Sequence, residues 1–291
     1  MRVNLLTDAP KHNLALMKIS AYHKAQGDTI VLNEPMNPCD VSYGSYLFRR
    51  RDYTDFVGGP AVDPGVRLNG QFAGQLPDYD LFPGVDYSLG YTWEYCPRQC
   101  EFCCVPKQHP PRVHHSIREF HDPRFKKICL LNNNTFSDPR WRETFEEIWE
   151  AGLMVIDENG YDLRLMDGER AEALRRMRFF GYIHFAWDQM GDEEKVVEGL
   201  DCLKRVGFSS GRAMVYVLVG WPDYRPIDET DIYRCQRLVD LGWDPFVMVY
   251  RDFEKPLAKG QARQFKQFSR LVNRSWAWRS SLREAWEHYE P

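Results

Sequence analysis

Four of the eight cysteines in this chain of 291 residues crowd into one segment, GYTWEYCPRQCEFCCVPK. Cys96, Cys100 and Cys103 stand there in a C-x3-C-x2-C spacing. Clustered cysteines in a chain this long point to metal or redox chemistry rather than to a disulfide scaffold. Thiolates are the usual ligands of iron–sulfur clusters, and a cluster that only carries electrons is normally closed by four of them. Three thiolates on a four-iron cluster leave one iron open to a small molecule. The competing chemistry is a structural zinc site, with Cys104, His109, His114 or His115 completing a tetrahedron. Zinc motifs generally pair two knuckles, and no second pair follows here. Cys104 adjoins Cys103, and adjacent side chains rarely converge on one metal, so it reads as a packed neighbour. Cys39, Cys129, Cys202 and Cys235 are scattered, and most of them read as small buried side chains.

The elements that must position these thiols follow a regular order from about Tyr87. Strand-like runs occur at YSLGYTW, KKICLLN, LMVID, YIHFAW, AMVYVLVG and FVMVY. Helical patterns fall between several of them, at Pro139 to Ala151, Gly168 to Phe179, Glu193 to Val206 and Asp228 to Leu241. Alternation of this kind predicts a parallel sheet with helices outside it. Six such strands make an open barrel, with chemistry at the carboxyl ends of the strands. Upstream, VNLLT, a helix from Asn13 to Gln26, and TIVLN read as strand, helix, strand. Residues 34–90 are rich in Pro, Gly, Asp and Tyr and read as turns, with short strands at VSYGSYLF and DFVG.

The cysteine segment, with aromatic Phe102 just before the third cysteine, resembles the signature of the radical S-adenosylmethionine (SAM) superfamily. The resemblance covers residues 85–255. It implies a partial (β/α)6, TIM-like barrel with the cysteine loop after its first strand. It also implies a [4Fe–4S] cluster on Cys96, Cys100 and Cys103, whose open iron binds the amino and carboxylate groups of SAM. Reductive cleavage then gives methionine and a 5′-deoxyadenosyl radical that abstracts hydrogen from a substrate. The protein supplies position, electrostatics and exclusion of water. A reductant such as a flavodoxin or ferredoxin is the implied partner.

Candidate SAM contacts lie at strand ends. Asn132, Asn133 and Asn134 follow the second barrel strand, where many relatives carry Gly-Gly-Glu. Asparagine offers donors and acceptors, and equally suits a turn closing the strand. After the third strand, Glu158, Asp162 and Arg164 are the choices. An Arg fork clamps carboxylates, and acids take hydroxyl or ammonium groups; a solvated salt bridge is the plain alternative. After the fourth strand, Asp188 either contacts SAM or substrate or caps the helix beginning near Asp192. The fifth strand, Val215 to Gly220, offers backbone to the adenine, as in relatives, or is purely structural. Tyr250 and Arg251, at the end of the sixth, are candidates for substrate contact.

The segments are read as a small N-terminal α/β domain (1–84), the barrel (85–254) and a C-terminal helical extension (255–291). The first resembles a truncated Rossmann-like version of the domain preceding the barrel in cobalamin-type radical SAM enzymes. Its nearest phrase to Asp-x-His-x-x-Gly runs from Asp8 to His12 and Asn13, with the wrong spacing and no glycine. No cobalamin is expected, and His12 and His23 read as surface or helix-end histidines.

Charge is uneven. Eight basic residues and no acidic one lie between Lys255 and Arg283 in a chain of net charge −4. Lys255, Lys259, Arg263, Lys266, Arg270 and Arg274 recur every three or four residues, along one face of a helix. Phe265, Phe268, Leu271, Val272, Trp276 and Trp278 supply apolar surface for packing on the barrel. The positive face either pairs with the acidic remainder or binds phosphates; on the second reading Lys259, Arg263 and Lys266 meet a nucleic acid. The longest apolar runs are too short to cross a bilayer, and the first residues lack signal-peptide features. A cytoplasmic protein with no membrane partner is expected. The expected function is a radical SAM enzyme whose substrate is unassigned, a nucleic-acid base being the leading guess. The alternatives are a radical methyltransferase or methylthiotransferase, and a non-enzymatic zinc- or nucleic-acid-binding protein.

Overall fold

The computed structural model describes residues 1–48, 51, 53–68, 70–252, 255, 257–274 and 278–289. Trp276 lies outside them. The chain divides into two compact units: residues 1–133 with 146–153, and residues 134–145 with 154–291. Among the described residues, no helix is long and apolar enough to cross a membrane.

The first unit opens with β1 (Arg2–Thr7), α1 (Leu14–Ala25), β2 (Thr29–Leu32), β3 (Val41–Ser45) and β4 (Phe56–Gly58). The four strands form one sheet in the order β2-β1-β3-β4, with every pair parallel. Val3, Leu5, Leu16 and Met17 are fully buried. Asn13 starts α1 by accepting a hydrogen bond from the Leu16 amide at 3.2 Å. Its Nδ2 donates to Thr7 Oγ1 and to the Ser45 carbonyl, both 3.1 Å away. One cap residue therefore ties the helix start to the carboxyl ends of β1 and β3. His23 sits near the helix end as its position predicts, but it is buried, between Asp28 (2.7 Å) and the Tyr43 hydroxyl (3.2 Å). Asp8 accepts from the amides of Leu47 and Phe48, and His12 Nδ1 meets the Tyr87 hydroxyl at 2.7 Å.

After the short helix α2 (Gly70–Ala73), β5 (Ser88–Gly90) and β6 (Lys127–Leu130) pair in parallel. Helix α3 (Trp141–Glu150) follows. Through residues 154–291 the chain then runs β7 (Met154–Ile156), α4 (Gly168–Arg176), β8 (Ile183–Ala186), α5 (Glu193–Arg205), β9 (Ala213–Val219), α6 (Glu229–Asp240) and β10 (Asp244–Val249). Every strand and helix expected between Tyr87 and Tyr250 has its counterpart, so the chain is α/β with parallel pairing. Strands β8, β9 and β10 form a parallel sheet with β9 at its centre.

Burial in β9 alternates with the pleat. Ala213, Val215, Val217 and Val219 are closed to solvent, while Met214, Tyr216 and Leu218 are half-exposed. One sheet face is thus buried and the other is half-buried, with His184, Tyr216 and Phe246 on it. Helix α7 (Lys259–Arg274) packs on β10 and α8 (Leu282–Glu287) on α6. Gly220 ends β9 at φ +85°, and a Cβ there would lie 3.0 Å from the Phe265 ring, so the site favours glycine for its backbone and for its space.

Candidate active site

In the first unit, the thiol loop leaves the end of β5. The chain enters it tightly: a Cβ on Gly90 would stand 2.4 Å from the Phe120 ring. Asn132, 2% exposed, accepts from the amides of Thr92 (2.9 Å) and Trp93 (3.0 Å) and donates to Thr92 Oγ1 (2.9 Å). Asn133 donates to the Glu94 carbonyl at 2.5 Å. Farther along, Trp93 bridges His114 and the His115 amide donates to the Thr92 carbonyl at 2.9 Å. Arg112 reaches the Tyr95 hydroxyl at 2.6 Å and lies over its ring. Residues 94–113 therefore form a closed excursion whose two stems meet through the backbone of Thr92, Trp93, His114 and His115, with the buried asparagine holding the entry stem.

Cys96, Cys100, Cys103 and Cys104 all lie on this excursion, half-buried, and none is in a disulfide. A turn closes between the Cys100 carbonyl and the Cys103 amide at 3.0 Å, and the Val105 amide points at Cys103 Sγ. A hydrogen bond with Cys103 holds the Cys104 thiol down at about 7, against its burial. Among the described residues, no three His, Cys, Asp or Glu side chains stand close enough to hold a metal ion. Of the histidines of the zinc alternative, His115 is engaged by Glu119 at 2.9 Å, and His109 is exposed at φ +46°. A cubane presents its irons at separate corners and so takes thiols farther apart than a single tetrahedral ion does. The donor set, three thiols on one pinned loop, suits a four-iron cluster by its chemistry. Phe102 is half-buried between Cys100 and Cys103.

In the second unit, a set of charged groups collects beyond the carboxyl ends of β7 and β8. Arg164 donates from Nε to Asp162 Oδ1 (2.7 Å), from Nη2 to Asp162 Oδ2 (3.2 Å) and from Nη1 to Asp192 Oδ2 (2.9 Å). Its fork is thus held by two carboxylates of the protein. Burial opposes its charge, but Asp162 and Asp192 outweigh that and hold the guanidinium further up its usual range. Asn134 donates to Asp162 Oδ2 at 3.0 Å. Asn134, Asp162 and Arg164 are therefore brought together; Glu158 is half-buried just upstream.

Asp188 is set apart by what holds it. The buried Arg234 donates from Nη1 to the carbonyls of Trp187 (2.9 Å) and Asp188 (2.6 Å), and from Nη2 to that of Leu218 (2.7 Å). One guanidinium thereby fixes the ends of β8 and β9. The Asp188 carboxyl itself has no hydrogen-bond partner among the described residues. Burial pushes it up to about 6; Arg234 and Arg164 pull it down, while Asp162 and Asp192 push it further up. It does not cap a helix: the turn leading into α5 starts at Gln189, and Asp192 precedes the helix itself.

Two residues not singled out from the sequence, His184 and Tyr216, stand on the half-buried sheet face. His184 Nδ1 lies 2.9 Å from the Asp157 carbonyl. A carbonyl only accepts, so Nδ1 carries a proton and Nε2 is the acceptor of the neutral ring. The His184 amide donates to Asp157 Oδ2 at 2.6 Å, and its ring stacks on Tyr216 at 4.8 Å and 11°. Burial raises the Tyr216 hydroxyl, and Asp157 and Glu158 add to it. The available signal was a polar ring at alternate positions of apolar strands.

Tyr250 is half-buried against Tyr224 at 5.7 Å, and Arg251 is exposed. Helix α7 begins at Lys259, so Lys255 does not belong to its charged face and pairs with Asp223 at 2.9 Å instead. Phe265, Phe268, Leu271 and Val272 are buried as expected, as is Trp278. The expected pairing of the basic stretch with acidic groups holds for Lys255, for Arg279 with Asp244 and for Arg283 with Glu229. It does not extend to α7, where Lys259, Arg263 and Lys266 remain exposed.

Against this geometry, no protein-family model matches the chain, and no curated protein matches it.

Proposed function

We propose that the chain is a radical SAM enzyme that holds a [4Fe–4S] cluster through Cys96, Cys100 and Cys103 and cleaves S-adenosylmethionine reductively. The observation that carries this is the thiol loop: three half-buried thiols on one pinned excursion, directly after β5, at the start of a run of parallel strands and helices. The proposal includes the arrangement of these strands as a partial (β/α)6 barrel. When bound, the cluster supplies the electron that breaks the sulfonium bond.

The chain's own residues have distinct tasks. Asn132 and Asn133 fix the entry to the loop, so the three thiols are presented on a rigid base rather than a free hinge. Asp162 and Asp192 orient the Arg164 guanidinium, and Glu158, Asn134 and Asp188 offer polar groups for the amino, carboxylate and ribose groups of SAM. Asp188 exchanges a proton near pH 6 and is the residue suited to hold or release one at its carboxyl oxygens. His184 Nε2 and the Tyr216 ring form a flat, half-buried surface against which a substrate is placed away from water.

Anaerobic reconstitution with iron, sulfide, reductant and SAM tests the proposal. Release of 5′-deoxyadenosine and methionine by the iron- and sulfide-loaded protein is the expected result. Stoichiometric zinc in place of iron and sulfide, or no cleavage by a fully loaded cluster, refutes it.

A further inference from the structure

Helix α7 carries five cations, Lys259, Arg263, Lys266, Arg270 and Arg274, and no acidic residue, which leaves the other residues at −9. All five are exposed, and none makes a side-chain hydrogen bond or ion pair among the described residues. The fold neutralises cations elsewhere in this region, at Lys255, Arg279 and Arg283. Like charges three and four residues apart repel one another along a helix. The other face of α7 is fully used: Phe265, Phe268, Leu271 and Val272 are buried. Asn273 brackets Val247, accepting from its amide at 2.8 Å and donating to its carbonyl at 3.2 Å. No apolar residues are left for insertion into a bilayer, which an interfacial membrane helix requires. At the rise of an α-helix the five charges are spaced about 4.5–6 Å apart along a line of about 22 Å. A straight row of evenly spaced, outward cations matches the repeating charge of one extended phosphodiester strand better than the scattered carboxylates of a folded acidic protein.

We infer that α7 is a docking surface for the backbone of a single-stranded nucleic acid. The contact is electrostatic and independent of base sequence, and it involves about five phosphates. The inference goes beyond the radical chemistry and does not depend on it, because the surface needs neither cluster nor SAM.

The test is fluorescence anisotropy with labelled 15-nucleotide oligo(dT) and oligo(rU), using the full chain without added iron. Five neutralised phosphates give a slope of log K against log salt near −3.5, or about 100-fold weaker binding at 200 mM than at 50 mM salt. The exposed triple variant Arg263→Gln, Lys266→Gln, Arg270→Gln keeps the buried face, and an unchanged circular-dichroism melt verifies its fold. Its slope falls to about −1.4 and the same salt step weakens binding only about sevenfold. No binding at 50 mM salt overturns the inference, as does an unchanged slope in the folded variant. So does preference for duplex DNA, poly-glutamate or phosphatidylserine vesicles over the oligonucleotides. Failure of SAM cleavage with intact oligonucleotide binding counts against the radical reading alone.

Discussion

Arg234 Nη2 lies 2.7 Å from Asp231 Oδ1, in a pair whose side chains are 3% and 0% exposed. Both belong to α6, one turn apart, and the same guanidinium grips the carbonyls of Trp187, Asp188 and Leu218. Removing one partner of a buried pair leaves an uncompensated charge, which costs about 3–5 kcal/mol. Arg234→Met is therefore expected to destabilise the chain by that amount in urea denaturation. Arg225→Gln removes a partially exposed partner of the same carboxylate, with Nη2–Oδ distances of 3.0 and 3.2 Å, and costs about 1 kcal/mol or less. Equal losses in the two variants would falsify the assignment of Arg234 as the strand-end anchor.

Asp188 makes stability depend on pH in an unusual direction. Its carboxyl keeps its proton to about pH 6 in the fold, against about 4 in an unfolded chain. Between these values the folded state binds more protons, so this contribution to stability is greatest below about pH 4, declines as pH rises through 6, and is flat above. The loss amounts to at most about 3 kcal/mol. Asp188→Asn removes the slope and stabilises the chain at pH 8. Denaturation of both proteins at pH 5 and pH 8 checks this, and an identical pH difference in the variant rules out Asp188 as its source.

The strands and helices after Tyr87 were legible because their apolar periods, two and 3.6, agree with their burial. Val215 and Val217 alternate with Tyr216, and Ile232, Cys235 and Leu238 recur on one side of α6. The thiol loop was legible from spacing alone. What spacing hides is how polar side chains are spent. Asn132 follows a strand end like a ligand-contacting residue, yet its amide is committed to Thr92 and Trp93, some forty residues earlier in the chain. Arg164 has the right chemistry for a carboxylate clamp, and the fold supplies the carboxylates itself. Arg234 reads as a surface cation in a helix; its closeness to the stripe of Ile232, Cys235 and Leu238, with Asp231 three residues before it, was the one local sign of burial.

Asn132 should control the order of the loop stem. Asn132→Ala strips the acceptor from two buried amides and the donor from Thr92, at a cost of about 2–4 kcal/mol. The loss is local first, so the amides of Thr92 and Trp93 exchange with deuterium faster than in the parent protein, while β9 amides keep their protection. Exchange that is unchanged at Thr92 and Trp93, or raised equally throughout, shows that the asparagine does not pin the stem.

The thiol loop separates ligands from a neighbour in a way that substitution resolves. Cys96, Cys100 and Cys103 are the three proposed cluster ligands. Cys104 adjoins Cys103 and receives a contact from the Gln108 amide at 3.7 Å, a packing role that alanine largely preserves. After anaerobic reconstitution, the parent and Cys104→Ala should each bind about four iron and four sulfide per chain. Cys96→Ala, Cys100→Ala and Cys103→Ala should each lose most of that iron and all SAM cleavage, with unchanged far-ultraviolet circular dichroism. All three losses must appear, because a cubane held at only two corners exposes two irons and is readily stripped. Retention of full iron by any one of the three, or equal loss in Cys104→Ala, assigns the cluster to a different ligand set.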